Sequence, residues 1–291
     1  MCLKNQQPPL NIGEQIANLK SKGLVIPDES YAESTLNDIS YFRLIKAYSL
    51  TLKPKNENYY DNIHFEDIVE LYLFDVSFRQ LLFPLIEKVE ISLRCRIANY
   101  FCEKYDVLGY KNANNYAVPD EVFCVFFEEM QKEITRNSRS PFIKNFQDNY
   151  IDGAIPLYAL VEILSFGTLS KFYKNMKNED KKVIAKSFGV GYTYFESWIE
   201  SISSVRNICA HYGRLYNAKL PKTPALYKRY AEIGIGNNRV FSTLLCLKHL
   251  LPNDEYWNEF VDNVSSLLCR CPKVDKLKIG FIETWKDVLR K

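Results

Sequence analysis

The chain has 291 residues, 47% hydrophobic and 14% aromatic, which excludes a disordered chain and leaves room for one large domain or two small ones. Its net charge of +3, from 38 basic and 35 acidic residues, excludes a binder of nucleic acid by bulk charge, so any basic surface has to come from local clustering. No apolar run approaches the roughly 20 residues of a membrane span, and Met1–Pro9 lacks the apolar core of a signal peptide, so a cytoplasmic protein with no membrane partner is expected.

Glycine and proline are sparse, and apolar residues recur at three- and four-residue spacing, which predicts an all-α fold. Residues 1–60 read as an N-terminal helical accessory region. Within it Ile12 to Lys22 ends at Gly23, Tyr31 to Asp38 leads into Tyr41–Ile45, and Pro54 closes the unit. Residues 61–291 read as the main helical domain. It opens on a long helix from about Phe65 to Tyr105, whose apolar stripe takes in Phe74, Asp75, Phe78 and Val89 and which Pro84 kinks or splits. Glu121 to Arg136 is helical again. The loop after it and its flanks carry Lys132, Arg136, Arg139 and Lys144, a candidate phosphate-contacting cluster that a solvated loop would explain equally well.

Pro156 opens a helix through Leu164, with Glu162 near its middle and Gly167 breaking or closing a turn. The lysines at 171, 174, 177, 181, 182 and 186 sit at near-helical spacing, which is more often a solvated face than an RNA contact. Later helices are expected over 194–212, 239–250, 256–268 and 281–289. The eight cysteines (2, 95, 102, 124, 209, 246, 269 and 271) form no C-x-x-C pair, and Cys269-Arg270-Cys271 has the wrong spacing for a zinc knuckle. They read as reduced, mostly buried thiols, with neither metal nor cofactor.

The chemistry concentrates in the segment Ser204 to Asn217, where Arg206, Asn207 and one of only three histidines, His211, lie within two helical turns. A guanidinium, an amide and an imidazole are the groups needed to hold a phosphate and move a proton beside it. On a helical wheel with Trp198 at zero, Ile202, Val205, Cys209 and Tyr212 fall within about 40° and form a core stripe, while Glu200, Asn207, His211 and Arg214 fall on the back. Arg206, at about 80°, cannot share a face with His211 in one straight helix. Either the helix is distorted before Gly213, or two copies of it build one site in a symmetric dimer.

The blocks Ile155–Tyr158, Glu162–Ser170, Ser197–Ile199, Val205–His211 and Arg214–Asn217, with Ile39–Leu44 and Glu87–Glu90, resemble the Abi-like abortive-infection family, the AbiD/AbiF group. Arg206 to His211 is similar to the R-x4-6-H signature of the wider HEPN superfamily. The resemblance implies an HEPN-like helical bundle with an N-terminal extension, a homodimer across the Arg206–His211 helix, and metal-independent endoribonuclease activity in antiphage defence or toxin–antitoxin systems. It makes Arg206 and His211 catalytic and Asn207 their support, places Glu162 and Arg214 in site-supporting blocks, and implies an RNA substrate, with tRNA as a candidate, and a restraining small RNA or protein. The reading from another class is a non-catalytic RNA-binding or regulatory protein. A DNA-binding role for Ser40–Lys46 is the weakest of the three.

Overall fold

The computed structural model describes residues 8–54, 57–252 and 255–290; Met1–Gln7, including Cys2, lies outside them. Among the described residues there are fourteen α-helices and no strand. The all-α expectation holds, and its physical basis is legible at the helix ends. The helix α1 (Ile12–Ser21) starts on an Asn11–Glu14 capping box, α2 (Glu29–Asp38) on the Asp28 carboxylate, and α3 (Tyr41–Tyr48) on the Ser40 hydroxyl. Each cap satisfies backbone N–H groups that the first turn leaves without partners.

The axis of the molecule is α4 (Phe65–Tyr105), a single helix of 41 residues. It runs through Pro84 without splitting; the missing proline N–H leaves the Gln80 carbonyl without its usual helical donor. Seventeen of its residues are buried over a broad face, while Leu73, Gln80, Pro84, Lys88, Ile91 and Cys95 line an exposed one. Against it pack α3, α7 (Leu157–Ile163), α8 (Phe166–Asn175), α10 (Tyr192–Ala210), α12 (Val240–Leu250) and α13 (Trp257–Arg270). The remaining helices are α5 (Asp120–Arg136), α6 (Pro141–Asn149), α9 (Asn178–Ser187), α11 (Lys228–Glu232) and α14 (Trp285–Leu289). One apolar core extends from Ile16 to Leu289, so the N-terminal helices share it with the rest of the chain.

Several expectations need correction. The break after α7 is at Leu164 and Ser165, where the Ser165 hydroxyl accepts from the Thr168 N–H and caps α8; Gly167 lies inside the first turn of α8 and breaks nothing. The lysine run is not one solvated face. It spans α8, an extended break at Met176 and α9, and in it Lys181 is buried against Glu196 at 2.9 Å while Lys171 pairs with Glu129 at 2.6 Å. No single described helix is long and apolar enough to cross a membrane.

The thiols are not mostly buried either. Of the seven described, all unpaired, Cys209, Cys246 and Cys271 are buried, Cys102 is half-buried, and Cys95, Cys124 and Cys269 are exposed. Burial pushes the Cys209 thiol up to about 12 and the Cys246 thiol well above its ordinary value, which removes the reactive thiolate at neutral pH. Iodoacetamide applied to the native protein should therefore alkylate Cys95, Cys124 and Cys269 and spare Cys209 and Cys246 until denaturant is added. Peptide mass mapping reads this out, and early labelling of Cys209 would contradict the packing around α10.

Candidate functional site at the end of helix α10

The helix α10 is fixed along its length before it reaches the site. Phe195, Trp198, Ile199, Ile202 and Val205 are buried. The Trp198 indole N–H donates to the Ala225 carbonyl at 2.6 Å, and the Ala225 N–H donates to the Ser197 hydroxyl at 2.7 Å, so the helix and the later segment clasp each other. The core stripe read from the sequence is present, apart from Tyr212. That residue lies past the helix end and is 71% exposed.

The helix ends at Ala210, with His211 as its C-cap. The Tyr212 N–H donates to the Cys209 carbonyl at 3.2 Å and the Gly213 N–H to the Ile208 carbonyl at 2.7 Å, the paired bonds of a Schellman motif. The residue that turns the chain is Tyr212 at φ 56°, a left-handed conformation usually left to glycine. Glycine instead occupies the next position, where a Cβ would meet the Ile208 Cγ2 at 3.0 Å and carbonyl oxygen at 3.1 Å. Gly213→Ala is expected to loosen this end of the helix and lower stability by about 1 kcal/mol, at the lower end of overpacking costs; urea denaturation checks it.

Arg206 and His211 point to different surroundings. The Arg206 Nε lies 3.3 Å from the Glu90 Oε2 on α4 but is not aligned for a hydrogen bond and is otherwise buried without a partner. The Arg206 side chain is about one-third exposed. Glu90 is itself buried and also pairs with Arg94, whose guanidinium donates to the Val161 carbonyl of α7. One buried carboxylate thus ties the arginine of α10 to α4 and, through Arg94, to the residue beside Glu162. Glu162 is exposed on α7.

Asn207 and His211 are both exposed, and a backbone hydrogen bond of 3.0 Å from the His211 N–H to the Asn207 carbonyl joins them. Arg214 does not continue their face: it lies beyond the helix, turned back so that its guanidinium donates to the Ala47 carbonyl at the end of α3. Arg136, Arg139 and Lys144 are exposed around the turn between α5 and α6, where Arg136 pairs with Glu133 at 3.1 Å. The helix α5 packs on α7 and α8, and neither α5 nor α6 packs substantially on α10.

A second carboxylate organises the segment after His211. Asp75, fully buried on α4, accepts from the Tyr48 hydroxyl at 2.7 Å, the Arg79 guanidinium at 2.7 Å, the Tyr216 N–H at 2.8 Å and the Leu215 N–H at 3.1 Å. Burial pushes its carboxyl above the ordinary range, opposed by the Tyr48 bond, the Arg79 charge and the two backbone N–H groups. Nearby, Arg43 of α3 donates to the Tyr212 carbonyl at 2.9 Å. Between α3, α4 and the end of α10 lies a cleft of about 650 Å³ whose walls include Arg43, Tyr72, Arg79, Gln80, Phe83 and Tyr212.

The residues of this site fall within a recognised family. The model of the Abi-like protein family matches residues 34–217, well over half of the chain, and spans α3, α4 and α10 with its cap. The chain belongs to the Abi-like family. Membership suggests a role in abortive infection. No curated protein and no solved structure matches the chain. In this Abi-like protein the matched region contains Arg43, Asp75, Glu90, Arg206, His211 and Tyr216, while Ala225, which clasps α10 through Trp198 and Ser197, lies beyond it.

Sequence reasoning passed over Glu90 and Asp75. Glu90 stood within a block quoted for family resemblance, without a role. Asp75 offered a signal of its own, a carboxylate at a position of the apolar stripe of α4, which is costly unless donors surround it.

Proposed function

We propose that this Abi-like protein is a metal-independent endoribonuclease of the HEPN type, acting in abortive infection and restrained by a small RNA or a protein antitoxin. The observation that carries this reading is the end of α10: His211 and Asn207 stand exposed on the last turn, and buried Glu90 engages Arg206 beside them. A cleft of about 650 Å³ adjoins this point, within the roughly 300–1,000 Å³ range of ligand pockets.

In this mechanism His211 takes the proton from a ribose 2′-hydroxyl as its oxygen attacks the adjacent phosphorus. The P–O5′ bond breaks, and the leaving oxygen receives a proton. The products carry a 2′,3′-cyclic phosphate and a 5′-hydroxyl. Arg206 stabilises the charge on the phosphorane-like transition state and Asn207 supports the pair. Two proton transfers need two groups, and the segment supplies one imidazole per chain. A homodimer that brings two α10 ends to one phosphate supplies both, and it also removes the separation of Arg206 from His211 within a chain. RNA is the substrate, with tRNA as the candidate class.

The test is cleavage of total RNA and of tRNA by the purified protein in excess EDTA, with the new ends analysed chemically. Cyclic phosphate ends are expected. Strict dependence on a divalent metal, or 3′-hydroxyl ends, would sink the mechanism, and tight RNA binding without any cutting would favour a regulatory role.

A further inference from the structure

Three lysines from separate stretches of the N-terminal region converge on one cavity. Lys22 caps the C-terminus of α1, Lys46 lies in the last turn of α3, and Lys53 follows that helix. With Ser49 and Asn58 they line a space of about 560 Å³ in which, among the described residues, Glu57 is the one carboxylate. Like charges gathered this closely repel one another, and the effect registers at the half-buried Lys53. Its ammonium is pulled below its ordinary range by burial and by the charges of Lys22 and Lys46.

What marks this cluster is that its three lysines share one cavity without an ion pair among the described residues. Lys104, Lys171, Lys181 and Lys273 each meet a carboxylate, whereas Lys22, Lys46 and Lys53 form no ion pair with a described carboxylate. Lys53 instead lies over the Tyr59 ring, 4.6 Å from its centroid, and Tyr60 beside it is about half exposed. Tyr59 is itself buried, so Tyr60 is the aromatic face left for a base, and lysines without counter-charges beside it suit the phosphates of a single strand.

The position adds a direction. On α3, Arg43 lies one turn before Lys46 and donates to the Tyr212 carbonyl, while the Ala47 carbonyl accepts from Arg214. This helix therefore leads from the end of α10 to the lysine cavity.

We propose that the Lys22–Lys46–Lys53 cavity is a phosphate-binding site for a single RNA strand, which runs from the end of α10 along α3 and sets its phosphates against these lysines. The choice of RNA rests on the ribonuclease reading; the phosphate chemistry of the cavity does not.

Binding separates the two. In the His211→Ala protein, fluorescence anisotropy with a short labelled strand of 2′-O-methyl nucleotides, which cannot undergo 2′-hydroxyl attack, should give a Kd that rises about tenfold in the Lys46→Gln/Lys53→Gln variant. The slope of log K against log salt should fall by about 1 for each lysine removed. Lys171→Gln serves as the surface-charge control and should leave the Kd unchanged, and excess pyrophosphate should compete with the strand. Equal affinity in the lysine variant overturns the proposal. So does pyrophosphate binding that depends on the lysines while strand affinity does not, since the cavity then serves a small phosphorylated ligand. If the lysines govern strand binding but the wild-type protein cuts no RNA, the nuclease reading fails and this site stands; if it cuts RNA and binding ignores the lysines, the reverse holds.

Discussion

His211→Ala is expected to abolish most RNA cleavage while leaving the fold intact. The residue is exposed, and its hydrogen bond runs from the backbone N–H to the Asn207 carbonyl, which alanine preserves. Loss of activity is therefore separable from loss of structure, and the thermal midpoint should be nearly unchanged. A positioned acid or base contributes about 10²–10⁴-fold, and the rate constant should fall by that factor. Arg206→Ala should fall comparably, and Arg206→Lys should not rescue it, because a point-like ammonium cannot reproduce the planar guanidinium that pairs with Glu90 and, in the proposed mechanism, with the phosphate. The double variant should be little worse than the worse single one, as expected of groups acting in one step. A mixed dimer of wild-type and His211→Ala chains keeps one imidazole where the two proton transfers need two, so it should cleave well below the wild-type rate. A His211→Ala protein that cuts RNA at the wild-type rate would remove His211 from the mechanism.

Much of the fold was legible because helices advertise themselves locally. The stripe of α4 and the buried face of α10 follow from the spacing of their apolar residues. The candidate site was legible in part. Its segment could be found, and the wheel already separated Arg206 from His211. What the wheel could not carry is the end of the helix: past Ala210 the periodicity of α10 no longer applies, so Tyr212 leaves the core stripe and Arg214 leaves the polar face. The partners of Arg206 and of the segment after His211 lie 116 and more residues away in sequence, on α4, and pairing at that distance leaves no local period to read. Asp75 shows the cost of reading by pattern alone. Its place in the stripe was seen, and the four donors that make a buried carboxylate tolerable there come from α3, from α4 and from residues 215 and 216.

Those donors make Asp75 the position where a single substitution should damage stability most. Alanine there leaves the Arg79 guanidinium buried without its counter-charge, and removes the acceptor for the Tyr48 hydroxyl and for two backbone N–H groups at Leu215 and Tyr216. Breaking a buried pair by removing one partner costs about 3–5 kcal/mol. At roughly 2–4 °C per kcal/mol for a domain of comparable size, the midpoint should fall by on the order of 10 °C. Asp75→Asn keeps the shape but not the chemistry. One side of the amide becomes a donor facing either Arg79 or the backbone N–H groups, so this variant should be clearly destabilised as well. Asp75→Leu combined with Arg79→Met removes both charges and should cost less than the sum of the two single changes, because the two side chains share one bond. The loss should also reach activity. Leu215 and Tyr216 anchor the chain four and five residues beyond His211, and Tyr48 anchors the helix that holds the Tyr212 carbonyl through Arg43. A folded Asp75→Asn protein, assayed well below its midpoint, should therefore cleave RNA more slowly than wild type, whereas wild-type rates would show that His211 is positioned by α10 alone.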